Sequence, residues 1–287
     1  MDLLSSQQLV ITICATYVFT PFFSIFIFQL PRRILAEYHN ECVDFLELKN
    51  KKLSAVPLFS ATINEKSKSN KLVRALYYAP IFSYIIAKTK LKEHTIIQPE
   101  QRLLIETITI ITCITTMLEF GNTPSGLSQL AFYLSLIAIA AIDARTKLIP
   151  DILSVTMLWA GLIASIQGWN EIQIQLAVWG AVAGYCGPWL ISKAVCLRTN
   201  RPDGMGYGDF KMLAMLGAWL GPLNMLNTII LASFGFMFYF MVMRMANKVS
   251  RHSLIPFGPF LSIVAWAITQ NNIFLFSEHL KISGLLV

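Results

Sequence analysis

Apolar residues in this chain come in long blocks rather than at the spaced positions of a soluble amphipathic helix. Blocks approaching the ~20 residues a helix needs to cross a hydrocarbon core run from Leu9 to Leu30, Leu103 to Phe120, Leu127 to Ile142, Ile152 to Gln167, Ile174 to Ile191, Met225 to Met243 and Phe257 to Phe276. A shorter block, Met212 to Leu220, has the length of a re-entrant segment. Charge decides between re-entry and crossing. If it crosses, Arg32 to Arg102, Arg145 and Lys147, Lys193 to Lys211, and Arg244 to Arg251 fall on one side, leaving only Lys281 of the 23 Lys and Arg on the other. The pattern therefore predicts an all-α, polytopic membrane protein of about eight transmembrane helices, with the basic side cytoplasmic and both ends of the chain outside.

Composition agrees, since 55% hydrophobic and 14% charged residues are too apolar a mix for a soluble protein of 287 residues. Three regions are expected: a first transmembrane helix over 1–30, a cytoplasmic loop region over 31–101 and a seven-helix transmembrane core over 102–287. The first block has no basic residue before it and is too long for a signal-peptide core, so it is read as a retained anchor. The net charge of +7 is concentrated in the loop region, where it reads as a topology signal lying on anionic lipid headgroups; no nucleic-acid partner is expected. Within that loop, Leu72 to Ile86 is interrupted by Pro80 and reads as an interfacial segment. The cysteines Cys14, Cys42, Cys113, Cys186 and Cys196 include no C-x-x-C pair, and His39, His94, His252 and His279 are scattered. Neither a disulfide framework nor a zinc site is indicated. Small residues inside the blocks, Gly180, Ala183, Gly184 and Gly187, then Ala214, Gly217 and Ala218, read as devices for close helix approach.

Position separates the six aspartates. Asp2 and Asp44 are solvent-side, and Asp203, between Pro202 and Gly204, reads as a turn residue. Asp151 follows Pro150 at the start of the fourth span, where helix initiation and chemistry are equally good readings. Asp143 ends the apolar run Ser135 to Ile142. Asp209 follows three glycines at alternate positions, Gly204, Gly206 and Gly208, which let the backbone unwind and approach another chain closely. A carboxylate in or beside hydrocarbon costs roughly 2.5 to 3.5 kcal/mol on insertion scales, which makes both acids functional candidates. Two spans separate them, so they emerge at one membrane face although 66 positions apart (209 minus 143). Two carboxylates brought close cannot both ionise easily; one keeps a proton while the other deprotonates a water. Neither H-E-x-x-H zinc ligands nor a serine nucleophile with a paired base competes with this reading. Lys211 and Arg145 are candidate neighbours of the pair or plain topology signals, and Pro256, Gly258 and Pro259 make an irregular start to the last span that lines the site or bends the helix.

At these residues the chain resembles type IV prepilin peptidases, the intramembrane aspartyl proteases with a Gly-x-Gly-Asp motif. The resemblance rests on Ile142-Asp143 with Leu148-Ile149-Pro150-Asp151 and Leu158-Trp159-Ala160-Gly161-Leu162; on Gly204-Met-Gly206-Tyr-Gly208-Asp209-Phe-Lys211 continuing to Leu216-Gly217-Ala218-Trp219-Leu220-Gly221; and on Ile255-Pro256-Phe257-Gly258-Pro259-Phe260-Leu261. It extends more faintly to Leu30-Pro31-Arg32, Pro80 to Tyr84 and Glu106. It implies eight transmembrane helices in a bacterial inner membrane, a cytoplasm-facing site, and catalytic aspartates at Asp143 and Asp209, with Gly206, Gly208, Asp151, Lys211, Pro256 and Gly258 in supporting positions. Such enzymes cut the short basic leader from type IV prepilins and type II secretion pseudopilins beside the substrate's hydrophobic helix, without a cofactor. Many bacterial members then N-methylate the new terminus with S-adenosylmethionine.

The chain departs from the family in its first cytoplasmic loop, where many bacterial relatives carry two C-x-x-C pairs thought to hold zinc and this chain has Cys42 alone. Zinc is therefore not expected, and the methyltransferase activity is left open. Two rival readings remain. A presenilin-type protease would share the acid pair but carry a Pro-Ala-Leu motif that is missing here. A proton-coupled transporter using Asp143 and Asp209 would place them at mid-bilayer in broken helices, whereas both stand at span ends. The charge asymmetry predicts that single cysteines at Ser69, Arg198 and Lys248 are labelled from the cytoplasmic side and one at Ser277 from outside. External labelling at Lys248 would mean that Met212 to Leu220 does not cross.

Overall fold

The computed structural model describes residues 99–199, 206–246 and 255–271, with six helical positions between 20 and 30. Its regular elements are all helices: α1 Pro99–Phe120, α2 Pro124–Thr146, α3 Asp151–Ile166, α4 Ile174–Thr199, α5 Tyr207–Met245 and α6 Gly258–Asn271. Leu103–Phe120 of α1, with α2, α4 and α5, are long and apolar enough to cross a membrane, and α3 is a shorter apolar helix. The expected blocks from Leu103 onward coincide with these helices, two of them falling in α5. The first block is described at Thr20, Phe23, Ser24, Phe26, Ile27 and Leu30, all helical. The expected loop region, with Cys42, His39 and His94, lies outside the described residues up to 98, as do Asp2, Asp44, Asp203, Gly204 and residues 272–287.

Two compact units divide the chain, Met1–Ile114 and Thr115–Val287. In the first, the Ser24 hydroxyl donates to Glu106 Oε1 at 3.1 Å. Both residues are buried, and hydroxyl-to-carboxyl contacts of this kind join helices where lipid supplies no hydrophobic drive between them.

In the second unit, local chemistry sets the helix limits that matter for the site. Thr123 caps α2, its Oγ1 accepting the Gly126 N–H at 3.1 Å, with Pro124 following. The helix ends where Lys147 takes a left-handed conformation (φ 57) and its N–H reaches back to the Asp143 carbonyl at 2.8 Å. A short turn then leads to Pro150, whose φ of −66 suits the start of α3.

Helix α5 has 39 residues, about 58 Å if straight, which is about twice the thickness of a hydrocarbon core. It is broken into two limbs at Gly221, whose φ of 74 and ψ of 173 lie in a region open almost solely to glycine. Pro222 enforces the break, because it lacks an N–H and disfavours helix in the residue before it. The limbs run in opposite directions. Asp209, at the start of the first limb, is within electrostatic reach of Asp143. At the limb's other end, Asn170 of the α3–α4 connection donates to the Trp219 carbonyl at 3.1 Å. In the second limb, Phe236 packs edge-on against Phe257 and Phe260 at ring separations of 5.6 Å, back beside Gly258, whose N–H bonds Asp143. Residues 212–220 thus run from the acid-bearing end of the bundle to the opposite end.

The first limb is the shaft of this unit, with residues 212–221 all buried. A Cβ on Gly217 would come 2.0 Å from the Gly180 carbonyl oxygen of α4, one on Gly180 2.2 Å from that of Gly217, and one on Gly184 2.4 Å from that of Leu213. The two backbones therefore touch. On the other flank, Trp219 stacks on Phe132 at 4.6 Å, donates its indole N–H to the Met157 carbonyl at 2.8 Å and lies against Gly161, where a Cβ would fall 2.7 Å from the ring. Large apolar side chains such as Trp159, Trp179, Ile191, Phe234 and Phe238 point outward, each more than 60% exposed. Small residues inside and large apolar ones outside is the arrangement that lipid solvation permits.

Gly217→Val should overpack the seam by about 3 kcal/mol or more and leave little folded protein. Gly187→Val should be tolerated, because a Cβ there meets nothing within 4 Å. Thermal denaturation in detergent compares the two, and equal melting temperatures would refute the seam.

Candidate active site

Asp143 stands in the last turn of α2, 4% exposed. The Gly258 N–H, at the start of α6, donates to its Oδ2 at 2.8 Å. Only a glycine allows this approach, since a Cβ on Gly258 would lie 2.7 Å from the same oxygen and 3.1 Å from the carboxyl carbon. The irregular Pro256-Phe257-Gly258 segment therefore does more than bend a helix. It delivers a main-chain donor to a buried carboxylate, using one of the N–H groups that a helix start leaves without an intrahelical partner.

Asp209 opens α5 from a different direction. Gly206 is the N-cap, its carbonyl accepts the Asp209 N–H at 3.1 Å, and its backbone also hydrogen-bonds the Asp209 carboxylate. Gly208 lets the α2–α3 turn come close: a Cβ there would sit 3.1 Å from that of Ile149. The two acids feel one another's charge, so the helix ends bring together the residues that the sequence singled out. Asp209 is the more open of the two, and Gly206 and Tyr207 beside it are exposed.

Lys211 has a defined partner, its Nζ forming an ion pair with Asp151 Oδ2. This pairing was not visible in the sequence, where Asp151 and Lys211 stood out separately with 60 positions between them. Arg145 and Lys147 follow Asp143 on the same end of α2. Among the described Lys and Arg of this unit, Arg145, Lys147, Lys193, Arg198, Lys211 and Arg244 all lie toward the acid-bearing end, while Glu119 and Glu171 lie toward the other. No three His, Cys, Asp or Glu converge as a metal site among the described residues.

Residues 130–241 match the type IV leader peptidase family, a range that contains both acids and the ion pair. A prepilin leader peptidase/N-methyltransferase of Pseudomonas aeruginosa is 30% identical over 270 residues, covering 93% of this chain and 92% of that protein. The chain belongs to the type IV leader peptidase family. Its similarity to the prepilin leader peptidase/N-methyltransferase of Xanthomonas campestris is 28% over 92% of this chain and 91% of that protein. For the protein of that name from Neisseria gonorrhoeae the identity is 34%, over 70% and 68%. No solved structure matches the chain. Within this leader peptidase, Gly258 lies beyond the range of the family match, yet it is the residue that touches Asp143.

Gly258→Ala should push the Asp143 carboxylate off its main-chain donor and lower peptidase activity at least about tenfold, the scale on which small misplacements of a catalytic group are felt. Melting in detergent should change little. Full activity in this variant would show that the contact does not orient Asp143.

Proposed function

We propose that the chain is a membrane aspartyl endopeptidase that removes the short basic leader from type IV prepilins or type II secretion pseudopilins, with its site at the cytoplasmic face of the inner membrane. The observation that carries this reading is the meeting of Asp143 and Asp209, from the end of α2 and the start of α5, in a chain whose long relatives are named prepilin leader peptidases. The orientation rests on the six basic side chains at the acid-bearing end. The substrate's hydrophobic helix would lie in lipid with its basic leader in the cytoplasm, which puts the bond to be cut level with the acids.

In this mechanism the pair holds one proton and one water. The ionised carboxylate takes a proton from the water as its oxygen bonds the scissile carbonyl carbon; the protonated partner donates to the carbonyl oxygen, whose charge is developing. Collapse of the tetrahedral species breaks the C–N bond, and the proton passes to the leaving amine. Gly258 fixes one oxygen of Asp143 and leaves the other for this work. A proton-relay transporter gains no support, because the acids meet at helix ends and carry main-chain donors suited to holding them still.

N-methylation of the new terminus is proposed on the relatives' names alone. S-adenosylmethionine would supply the methyl group, and no methyl-transfer step is assigned to particular residues of this chain.

Incubation of the purified protein with a panel of prepilins and pseudopilins, read by mass, tests the reading. Asp143→Asn and Asp209→Asn should each abolish leader loss without lowering the melting temperature, since either change removes the shared proton. Cleavage near the wild-type rate by either variant would remove the pair from the mechanism.

A further inference from the structure

The ion pair between Lys211 and Asp151 has no part in the mechanism above, and its location is odd for a stabilising device. Lys211 is the fifth residue of α5, close to the positive end of that helix, where its own helix offers a cation no help. Asp151, at the start of α3, suits its own helix end. The pair therefore joins two helix starts, and Lys211 gains little from its own helix by being there.

The surroundings supply a role. Asp143 is held by its own helix and by the Gly258 N–H. Asp209 belongs to a limb anchored at Trp219 to α3, ten residues and about 15 Å further along. Near the acids, the stretch that follows Asp143 is tied to the helix that carries Asp209 by the packing of Ile149 on Gly208 and by the Asp151–Lys211 pair. Residues 209 and 211 lie about 200° apart around a helix, so the Lys211 side chain leaves toward α3 while Asp209 turns toward Asp143. We propose that Asp151 and Lys211 form a positioning clasp, which sets the separation of the two carboxylates by fixing the start of α5 to the turn after Asp143. The proposal rests on the peptidase reading. Neither residue is catalytic, because each acts through the placement of Asp209.

Half-exposed ion pairs contribute little to global stability, whereas small shifts between reacting groups weigh heavily on rate, and this contrast makes the role testable. Leader cleavage is measured with kcat and KM separated, alongside melting in detergent, for wild type, Lys211→Met, Asp151→Asn and the exchanged pair Asp151→Lys/Lys211→Asp. Each single change should lower kcat by about threefold to tenfold while KM and melting stay near wild type, and the exchange should bring kcat back to within about twofold. Wild-type kcat in the single variants overturns the clasp, with or without a lower melting temperature. A raised KM, or an exchanged pair no better than the singles, also overturns it. If wild type releases no leader from any substrate in the panel, it is the peptidase reading that fails.

Discussion

The contact of two backbones, α4 against the first limb of α5, governs the arrangement of the larger unit. A bilayer offers no hydrophobic gain for bringing apolar helices together, so association depends on how closely they approach. Gly180 and Gly217 remove the side chains that would hold the axes apart, and each would clash with the other's carbonyl if it carried a Cβ. The limb so seated is buried from residue 212 to 221 and has little freedom to slide. Its two ends then have fixed duties. One presents Asp209, and the other reverses at Gly221 and returns a second limb to pack on Phe257 and Phe260. That packing seats the start of α6, and with it the Gly258 N–H on Asp143.

A carboxylate near hydrocarbon needs hydrogen-bond donors, and here they come from the main chain. Gly258 serves Asp143 and Gly206 serves Asp209. Both donors stand at or just before a helix start, where N–H groups lack intrahelical partners and the local dipole favours negative charge. Main-chain donors bring no charge of their own, so they orient the acids without neutralising them. The basic side chain nearest in sequence to Asp209, Lys211, is occupied by Asp151. That cation is therefore directed away from Asp209, which favours the proposed sharing of one proton between the acids.

Much of this was legible in the sequence, and the boundary of what was legible has a physical cause. Block length and charge parity gave the helices, the reversal within 207–245 and the common face of Asp143 and Asp209, because each is a property of distance along the chain. What stayed hidden is which faces meet. In a soluble helix an apolar stripe marks the buried side, but α3 puts Ile152, Val155, Trp159, Ile163 and Ile166 outward while burying Ser154, Gly161 and Ala164. With apolar residues on every side, periodicity carries no direction. The seat of Trp219 on Gly161, the bond from Gly258 to a carboxylate 115 positions away and the Lys211–Asp151 pair all depend on facing, and none has a one-dimensional signature.

The sequence read Gly180, Gly184, Gly187 and Gly217 alike as devices for close helix approach, and the structure sorts these and the other glycines by what each one meets. Gly180, Gly184 and Gly217 are seam residues, Gly161 is a socket for an indole, Gly221 is a hinge in backbone space, and Gly208 and Gly258 admit a turn and a carboxylate respectively. Gly187 touches nothing. The glycines at the acid-bearing end differ from those in the seam in what they bring close. In the seam backbone meets backbone, which fixes helices; at the end backbone meets side chain, which fixes chemistry. A substitution in the first group should therefore act on the amount of folded protein, and one in the second on the rate of the folded protein, even though both introduce the same methyl group.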